Sequence, residues 1–466
     1  MSRSRRVSWS IPLAIVAVVA LAGTALAAVS FSNAGAKVGA WSWDNGDPAI
    51  GGNANGQISA ILVSDTLGST CFGTGAGPQL QVFTSQFSGG AWATPKSISG
   101  TSSSADRGTL VTNGANVYAA YTTQVHYYDA GCSKYAFDAS EPRIDYFRRS
   151  TNNGSTFSAP IKLPGQSATF RGDYMYMATS GSNVYITTTN ADTGKIILWV
   201  STNSGTSFAA PVNVGSTTNK DTTPGQTAGN CPCGYVDGFS GLPAVATNGS
   251  AVGVAYTASP TGAEKIAICN TAGGACTTTT VQSSGANDNY GYSQAAGDAT
   301  RMVFTWTTAG GAFSDVYSGG SFLGKKTIHA FPDANFAGTA CASSTTACNQ
   351  AGTGAIPVLL GTSGVGISLT ECNTITTQTG GHVSCDESQS LEKSREILVW
   401  YESTNNGSTY PTHALIKTAS GASKNPSWMS EYGSIANVGG TPYVLFNGHD
   451  DQYGAYDVEV RKCTGC

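Results

Sequence analysis

Acidic, basic and aromatic residues recur in five short phrases: Asp106-Arg107, Arg171-Gly172-Asp173-Tyr174, Asp237-Gly238-Phe239, Asp288-Asn289-Tyr290 and Glu431-Tyr432. Their chemistry suits a polar ligand. Guanidinium groups clamp a carboxylate with paired hydrogen bonds. Aromatic rings stack on sugar faces while carboxylates accept hydrogen bonds from sugar hydroxyls. A phenol beside a carboxylate can serve as a nucleophile whose proton the carboxylate takes. Arg107, Arg171, Asp106, Asp173, Glu431 and Tyr432 are therefore the candidate catalytic set. Tyr174, Asp237, Phe239, Asp288 and Tyr290 are the candidate ligand-binding set. Adjacent strand residues point to opposite faces, so Glu431 and Tyr432 can cooperate only where a strand has not yet started. The plainer alternative is that these phrases are solvated acids and packed aromatics of repeated loops.

What would position them is a repeat. The octet 150–157, Ser-Thr-Asn-Asn-Gly-Ser-Thr-Phe, recurs as Ser-Thr-Asn-Ser-Gly-Thr-Ser-Phe at 201–208 and Ser-Thr-Asn-Asn-Gly-Ser-Thr-Tyr at 403–410. Glycine at the fifth place allows the positive φ of a hairpin turn, and Asn can bond the turn backbone with its side chain. The aromatic at the eighth place is expected to leave the turn and pack beneath it. Apolar runs such as 196–200 and 397–400 precede the octets and read as buried strands. Worn copies stand at 85–92, 269–276 and 315–322.

A second phrase precedes each hairpin: 57–63, 116–121, 183–188, 251–256, 301–306, 365–369 and 443–446. Third-strand signals also number seven, the last at 457–460. Strand pairs at this spacing, joined by polar turns, predict an all-β propeller of four-stranded antiparallel blades. Seven blades are preferred over six, with two β-sandwiches as the other arrangement. The last unit has three strands before the sequence ends, and the segment 38–43 is expected to supply its fourth. On this architecture the five phrases fall where first strands begin and would form a ring around one mouth.

The octets resemble the Asp-box, or bacterial neuraminidase repeat, of the sialidase-like superfamily, with Asn152, Asn203 and Asn405 replacing the aspartate. The resemblance implies a propeller, carried by enzymes and non-enzymatic binders alike, so it speaks to architecture before catalysis. A complete sialidase site would hold three arginines around the substrate carboxylate, a Tyr beside a Glu and an acid/base Asp. Of the eight arginines after the leader, only Arg107 and Arg171 fall where an axis-lining strand begins, and no Arg-Ile-Pro phrase is present. The expected function is thus a carbohydrate- or cell-surface-binding module. The alternatives are an exo-acting, retaining glycoside hydrolase and a structural envelope or adhesion protein.

Residues 1–27 read as a signal peptide, with Arg3, Arg5 and Arg6, an apolar stretch over 11–22, and Ala25-Leu26-Ala27 before the cut. Residues 28–466 then form one exported domain. The apolar stretch is shorter than the roughly 20 residues that span a bilayer. The net charge of −4 becomes −7 without the three leader arginines, which argues against a nucleic-acid partner. The twelve cysteines suit an oxidising compartment. Cys269 with Cys276, Cys341 with Cys348 and Cys372 with Cys385 read as local staples. Cys231-Pro232-Cys233 and Cys463-Thr464-Gly465-Cys466 are either disulfides or metal ligands. No cofactor is expected, though Asp44-Asn45-Gly46-Asp47 and Asp450-Asp451 offer oxygen ligands to a structural calcium.

Overall fold

Among the described residues of the computed structural model, 34 strands build seven four-stranded antiparallel blades, in two of which the outer strand is split into two pieces, and two small hairpins. The structure describes residues 29–34, 45–52, 56–65, 80–88, 90–100, 104–124, 127–129, 135–137, 143–167, 170, 172, 175–190, 193–217, 243–258, 263–283, 293–308, 311–330, 355–372, 375–377, 383–385, 396–418, 433–450 and 455–466. At several strand ends, Asp106 and Arg107 among them, this covers the backbone alone.

Each blade runs a, b, c, d from the axis outward. Strand a opens at Asn45, Ser104, Tyr176, Ala244, Gln294, Ala355 and Ser434 in blades 1 to 7. The seven recurring second phrases are strand b in every blade, and the seven third-strand signals are strand c. The interior strands are buried on both faces because each blade is sandwiched between two others. Lys195–Ser201, with sequence Lys-Ile-Ile-Leu-Trp-Val-Ser, is buried at every residue but Lys195. Such a strand reads as a continuous apolar run without alternation.

Seven is decided by the seams. Seven hydrophobic clusters each join two neighbouring blades, with Ile61 against Val117 between blades 1 and 2, and Val438 against Ile50 between blades 7 and 1. The chain closes the ring with an N-terminal strand, as expected, but not with the expected residues. Ser30–Asn33 pairs antiparallel with Asn33 opposite Arg461 and Ser30 opposite Thr464, becoming the outer strand of blade 7. The segment 38–43 lies outside the described residues. The closing strand lacks the apolar density of an interior strand because an outer strand needs little more than backbone pairing and one inward side chain, here Phe31.

The octets form the c–d hairpin of blades 2, 3 and 6. In each, the Ser hydroxyl donates to the Asn Oδ1 and accepts the glycine N–H at 2.9 Å. The same Oδ1 accepts the backbone N–H of the seventh residue at 3.0 Å. The Asn Nδ2 donates to the hydroxyl of Thr156, Ser207 or Thr409. Asparagine therefore does the turn-closing work of an aspartate, and its amide adds a donor matched to that hydroxyl. The fourth residue takes a left-handed φ of 55 to 57°, and its N–H reaches the a–b turn of the same blade: Asn153 to Ala115, Ser204 to Ser182, Asn406 to Ser363. The eighth-place aromatic lies beneath its own turn in blade 6, where Tyr410 Oη sits under Gly407, 3.1 Å from where a Cβ would stand, and it also reaches beyond that turn. Phe157, Phe208 and Tyr410 pack into the seam with the preceding blade, where hydrophobic area is available.

Cys269 and Cys276 form a disulfide across the corresponding hairpin of blade 4, as expected. Cys463 and Cys466 are bonded to each other, so they are not metal ligands. The side chains of Cys341, Cys348, Cys372, Cys385, Cys231 and Cys233 lie outside the described residues. Among the described residues, no helix is long and apolar enough to cross a membrane.

Candidate functional site

The strand directions give the ring two unlike ends. All a–b turns and c–d octets lie at one end, tied together by the bonds just described. Every b-to-c and d-to-a connection leaves from the other end, here called the mouth. Of the five chemistry-bearing phrases, the described residues place at this end the backbone of Asp106 and Arg107, on the inner strand of blade 2, and Gly172, which bridges Asn190.

Two inner strands are irregular there. Pairing slips between Gly46 and Ala49 in blade 1 and between Asp106 and Thr109 in blade 2. A β-bulge re-aims the residues it carries. Arg107 sits in the second bulge beside Gly108, whose Cα packs so close to Ile61 and Val82 that a Cβ would stand 3.0–3.1 Å from them. Blades 3 and 5 meet at the same end. Gln294 Nε2 donates to Tyr176 Oη at 3.2 Å, passing blade 4, whose inner strand begins at Ala244. These residues open their strands, so their contact is a polar bridge between next-but-one blades, inside the start of blade 4.

Two carboxylates lie beneath this rim. Glu264 opens strand c of blade 4 and is fully buried. Its Oε2 accepts from Thr257 Oγ1 at 2.8 Å and its Oε1 from Ser293 Oγ at 2.6 Å. Burial pushes its pKa up to about 7 against the pull of the two hydroxyls. Asp145 is the second residue of strand c in blade 2, also fully buried, and accepts from Thr122 Oγ1 at 2.8 Å. Gln166 brackets its backbone, accepting from Asp145 N at 2.8 Å and donating to Asp145 O at 2.9 Å. Gly172 lies directly over the Asp145 carboxylate, with no room for a Cβ. Its N–H donates to Arg143 O, and it forms a bridge with Asn190. Both acids are sealed from solvent, so they shape the mouth without touching a ligand.

Of the predicted site residues, the backbone of Asp106 and Arg107 is placed on the inner strand of blade 2. Arg171, Asp173, Tyr174, Asp237, Phe239, Asp288, Tyr290, Glu431 and Tyr432 lie outside the described residues, as do the side chains of Asp106 and Arg107. Asp44 and Asp451 lie outside the described residues, and Asn45, Gly46, Asp47 and Asp450 are described by their backbone alone. Among the described residues no cluster of three His, Cys, Asp or Glu stands ready to hold a metal. Sequence reasoning missed Tyr176, Gln294, Asp145 and Glu264. The available signal was a threonine ending strand b with an acid opening strand c, as in Thr122 with Asp145 and Thr257 with Glu264.

The octet end holds an axial cavity of about 530 Å³. Its polar side chains already bond within the ring. Thr112 Oγ1 donates to Gly52 O, Asn437 Nδ2 to Leu359 O at 2.9 Å and Thr247 Oγ1 to Ala251 O at 2.8 Å. Asp298 pairs with Arg301 at 3.0 Å. A ligand site needs convergent polar groups, and these are taken by the walls.

No family model and no curated protein matches the sequence. Among solved structures, the chain is similar to a protein of unknown function from Dyadobacter fermentans, with TM-score 0.47 and 11% identity over 94% of this chain and 99% of that one. It is similar to the Hadza microbial sialidase Hz136, with TM-score 0.47 and 10% identity, covering 90% of this chain and 65% of that sialidase. The ulvan lyase of polysaccharide lyase family PL25 gives TM-score 0.45 and 10% identity, over 91% and 95% of the two chains.

Proposed function

We propose that the protein is an exported carbohydrate-binding propeller whose ligand sits at the mouth of the axis. The observation that carries this reading is the Tyr176–Gln294 bridge. It floors the mouth with a phenol and an amide, groups that combine a stacking face with donors and acceptors for hydroxyls. The break in pairing between Asp106 and Thr109, at the same end of the neighbouring inner strand, supports it as a place where the ladder gives way to irregular backbone. The octet end, stapled by its turns, serves the scaffold. The likeness of the octets to the Asp-box agrees with a sialidase-like propeller, and the leader at 1–27 agrees with export.

The test is a glycan array with the mature chain, followed by calorimetry on any retained glycan. Binding should weaken about tenfold in Gln294→Ala and in Tyr176→Phe, since each removes one hydrogen-bonding partner of the ligand. Asn437→Ala at the octet end should leave the affinity unchanged. Retention of no glycan, or affinity lost equally in Asn437→Ala, would sink the reading. Release of a fluorogenic sugar by the wild type would move the assignment to a glycoside hydrolase.

A further inference from the structure

Ring closure rests on a short strand. Ser30–Asn33 contributes four paired residues, extended by one bond from Ala34 N to Val460 O at 3.1 Å. Phe31, directly opposite Cys463 in the register, is its inward anchor and meets Trp400 of blade 6 edge-on at 5.5 Å. Cys466 belongs to the same cluster, packed with Val29 and Phe31 against Leu398, Trp400, Val444 and Phe446. The chain turns back through Gly465, at φ 85°, to bring Cys466 there, and the Cys463–Cys466 disulfide holds that turn. One sulfur is thus anchored in the strand that the closing segment pairs with, and the other caps the apolar patch covering its first residues.

We propose that the Cys463–Cys466 disulfide is a redox-set lock on ring closure, formed by oxidation and opened by a dithiol. Cys466 is partly exposed and Cys463 is 2% exposed, so an incoming thiolate attacks Cys466 Sγ. The S–S bond breaks, Cys463 leaves as a thiolate and takes a proton from water, and a mixed disulfide joins Cys466 to the reductant. The second thiol of the reductant then displaces Cys466 and carries away the two-electron oxidation as its own disulfide. With the pair reduced, residues 464–466 are no longer tied over Phe31, and the closing strand opens more often. The disulfide closes so short a loop that it restrains the unfolded chain little. Its effect is therefore local to the closure.

Hydrogen exchange tests this. The mature chain is treated with dithiothreitol under native conditions, thiols are mapped by alkylation and mass spectrometry, and amide exchange is followed. Reduction of Cys463–Cys466 should raise exchange at residues 31–34 by about tenfold or more, as local opening becomes easier, with the inner strands unchanged. The double variant Cys463→Ser/Cys466→Ser should show the same acceleration without reductant. Cys269→Ser/Cys276→Ser, which lacks the blade 4 staple, should not. Unchanged exchange at 31–34 in alkylated, reduced wild type would overturn the proposal even if the double variant failed to fold. So would acceleration at 31–34 that the blade 4 variant reproduces.

Discussion

Arg301 of blade 5 donates from Nη1 to Asn406 Oδ1 in the blade 6 octet across 2.6 Å. The guanidinium is 2% exposed, pairs through Nε with Asp298 at 3.0 Å, and gives Nη2 to the carbonyls of Leu360, Gly361 and Gly364. The same relation appears elsewhere: Arg149 of blade 2 reaches Ser204 O and Thr206 Oγ1, and Lys96 of blade 1 reaches Ser155 O. In three seams a cation from one blade grips the octet of the next.

Arg301→Leu should accordingly be among the most damaging single substitutions. It strands buried carbonyls and leaves Asp298 without its partner, a loss of about 3 kcal/mol or more. Arg301→Lys should recover little, since an ammonium cannot reproduce the fork. Urea titrations of the three proteins check this. Burial works to raise the Asp298 pKa, but the Thr300 and Arg301 hydrogen bonds outweigh it and hold it below the usual carboxylate range. Its stabilising contribution is thus present above the unfolded-state pKa and lost as pH falls through the folded value.

Glu264 titrates with the opposite sign. The folded protein holds its proton up to about pH 7, against 4.5 for an ordinary glutamic acid. Between those values the native state binds more protons than the unfolded chain, so stability falls as pH rises through this window, by roughly 3 kcal/mol, and then levels. Tyr256 beside it stays a neutral phenol, since burial, with a contribution from the Glu264 charge, holds its pKa above the usual tyrosine value. Glu264→Gln should remove the slope and make the protein more stable than wild type at pH 8. Denaturant midpoints measured from pH 4 to pH 9 decide it, and a Gln variant that keeps the wild-type slope would count against this assignment.

The octet asparagines invite a paired comparison. Asn405→Ala loses the acceptor for Thr409 N and Ser403 Oγ and the donor to Thr409 Oγ1, which should cost about 1–3 kcal/mol. Asn405→Asp keeps the acceptors, and Thr409 can turn its hydroxyl to donate, so it should stay within about 1 kcal/mol of wild type. Thermal unfolding of both variants tests whether asparagine and aspartate are interchangeable at this place.

The octets, the strand phrases and the blade number were legible in sequence because a propeller repeats one local solution, and local hydrogen bonding writes itself into residue type. The closing strand was not. Its four residues, Ser-Phe-Ser-Asn, carry one apolar side chain, and an outer strand is specified by its partner rather than by its own pattern. The destination of the octet aromatics was hidden for a related reason: Phe208 meets Phe147 at 4.8 Å in the preceding blade, a contact between repeats that no single repeat reveals. At the mouth, Tyr176 and Gln294 stand 118 residues apart and meet only because the ring curves.

Close approach between inner strands gives a further test. A Cβ on Gly297 would run into the Thr247 carbonyl of the adjacent blade. Gly297→Ala must push blades 4 and 5 apart at the axis, and about 1–3 kcal/mol of destabilisation is expected. Gly439→Ala, in an open a–b turn at φ 60°, should cost only the backbone strain of a left-handed alanine, about 1 kcal/mol. Equal losses in the two variants would show that the seam yields more easily than its packing implies.

Each octet is riveted to the turn beside it, and this has a developmental meaning for the lineage of such a chain. Added or deleted residues at that end would break several bonds at once, whereas the opposite connections already differ widely in length: four residues separate Asn190 from Lys195, while 27 separate Ser216 from Ala244. Variation in length is thereby channelled to a single rim, and new specificities can be grafted there while the wheel beneath keeps turning out the same shape.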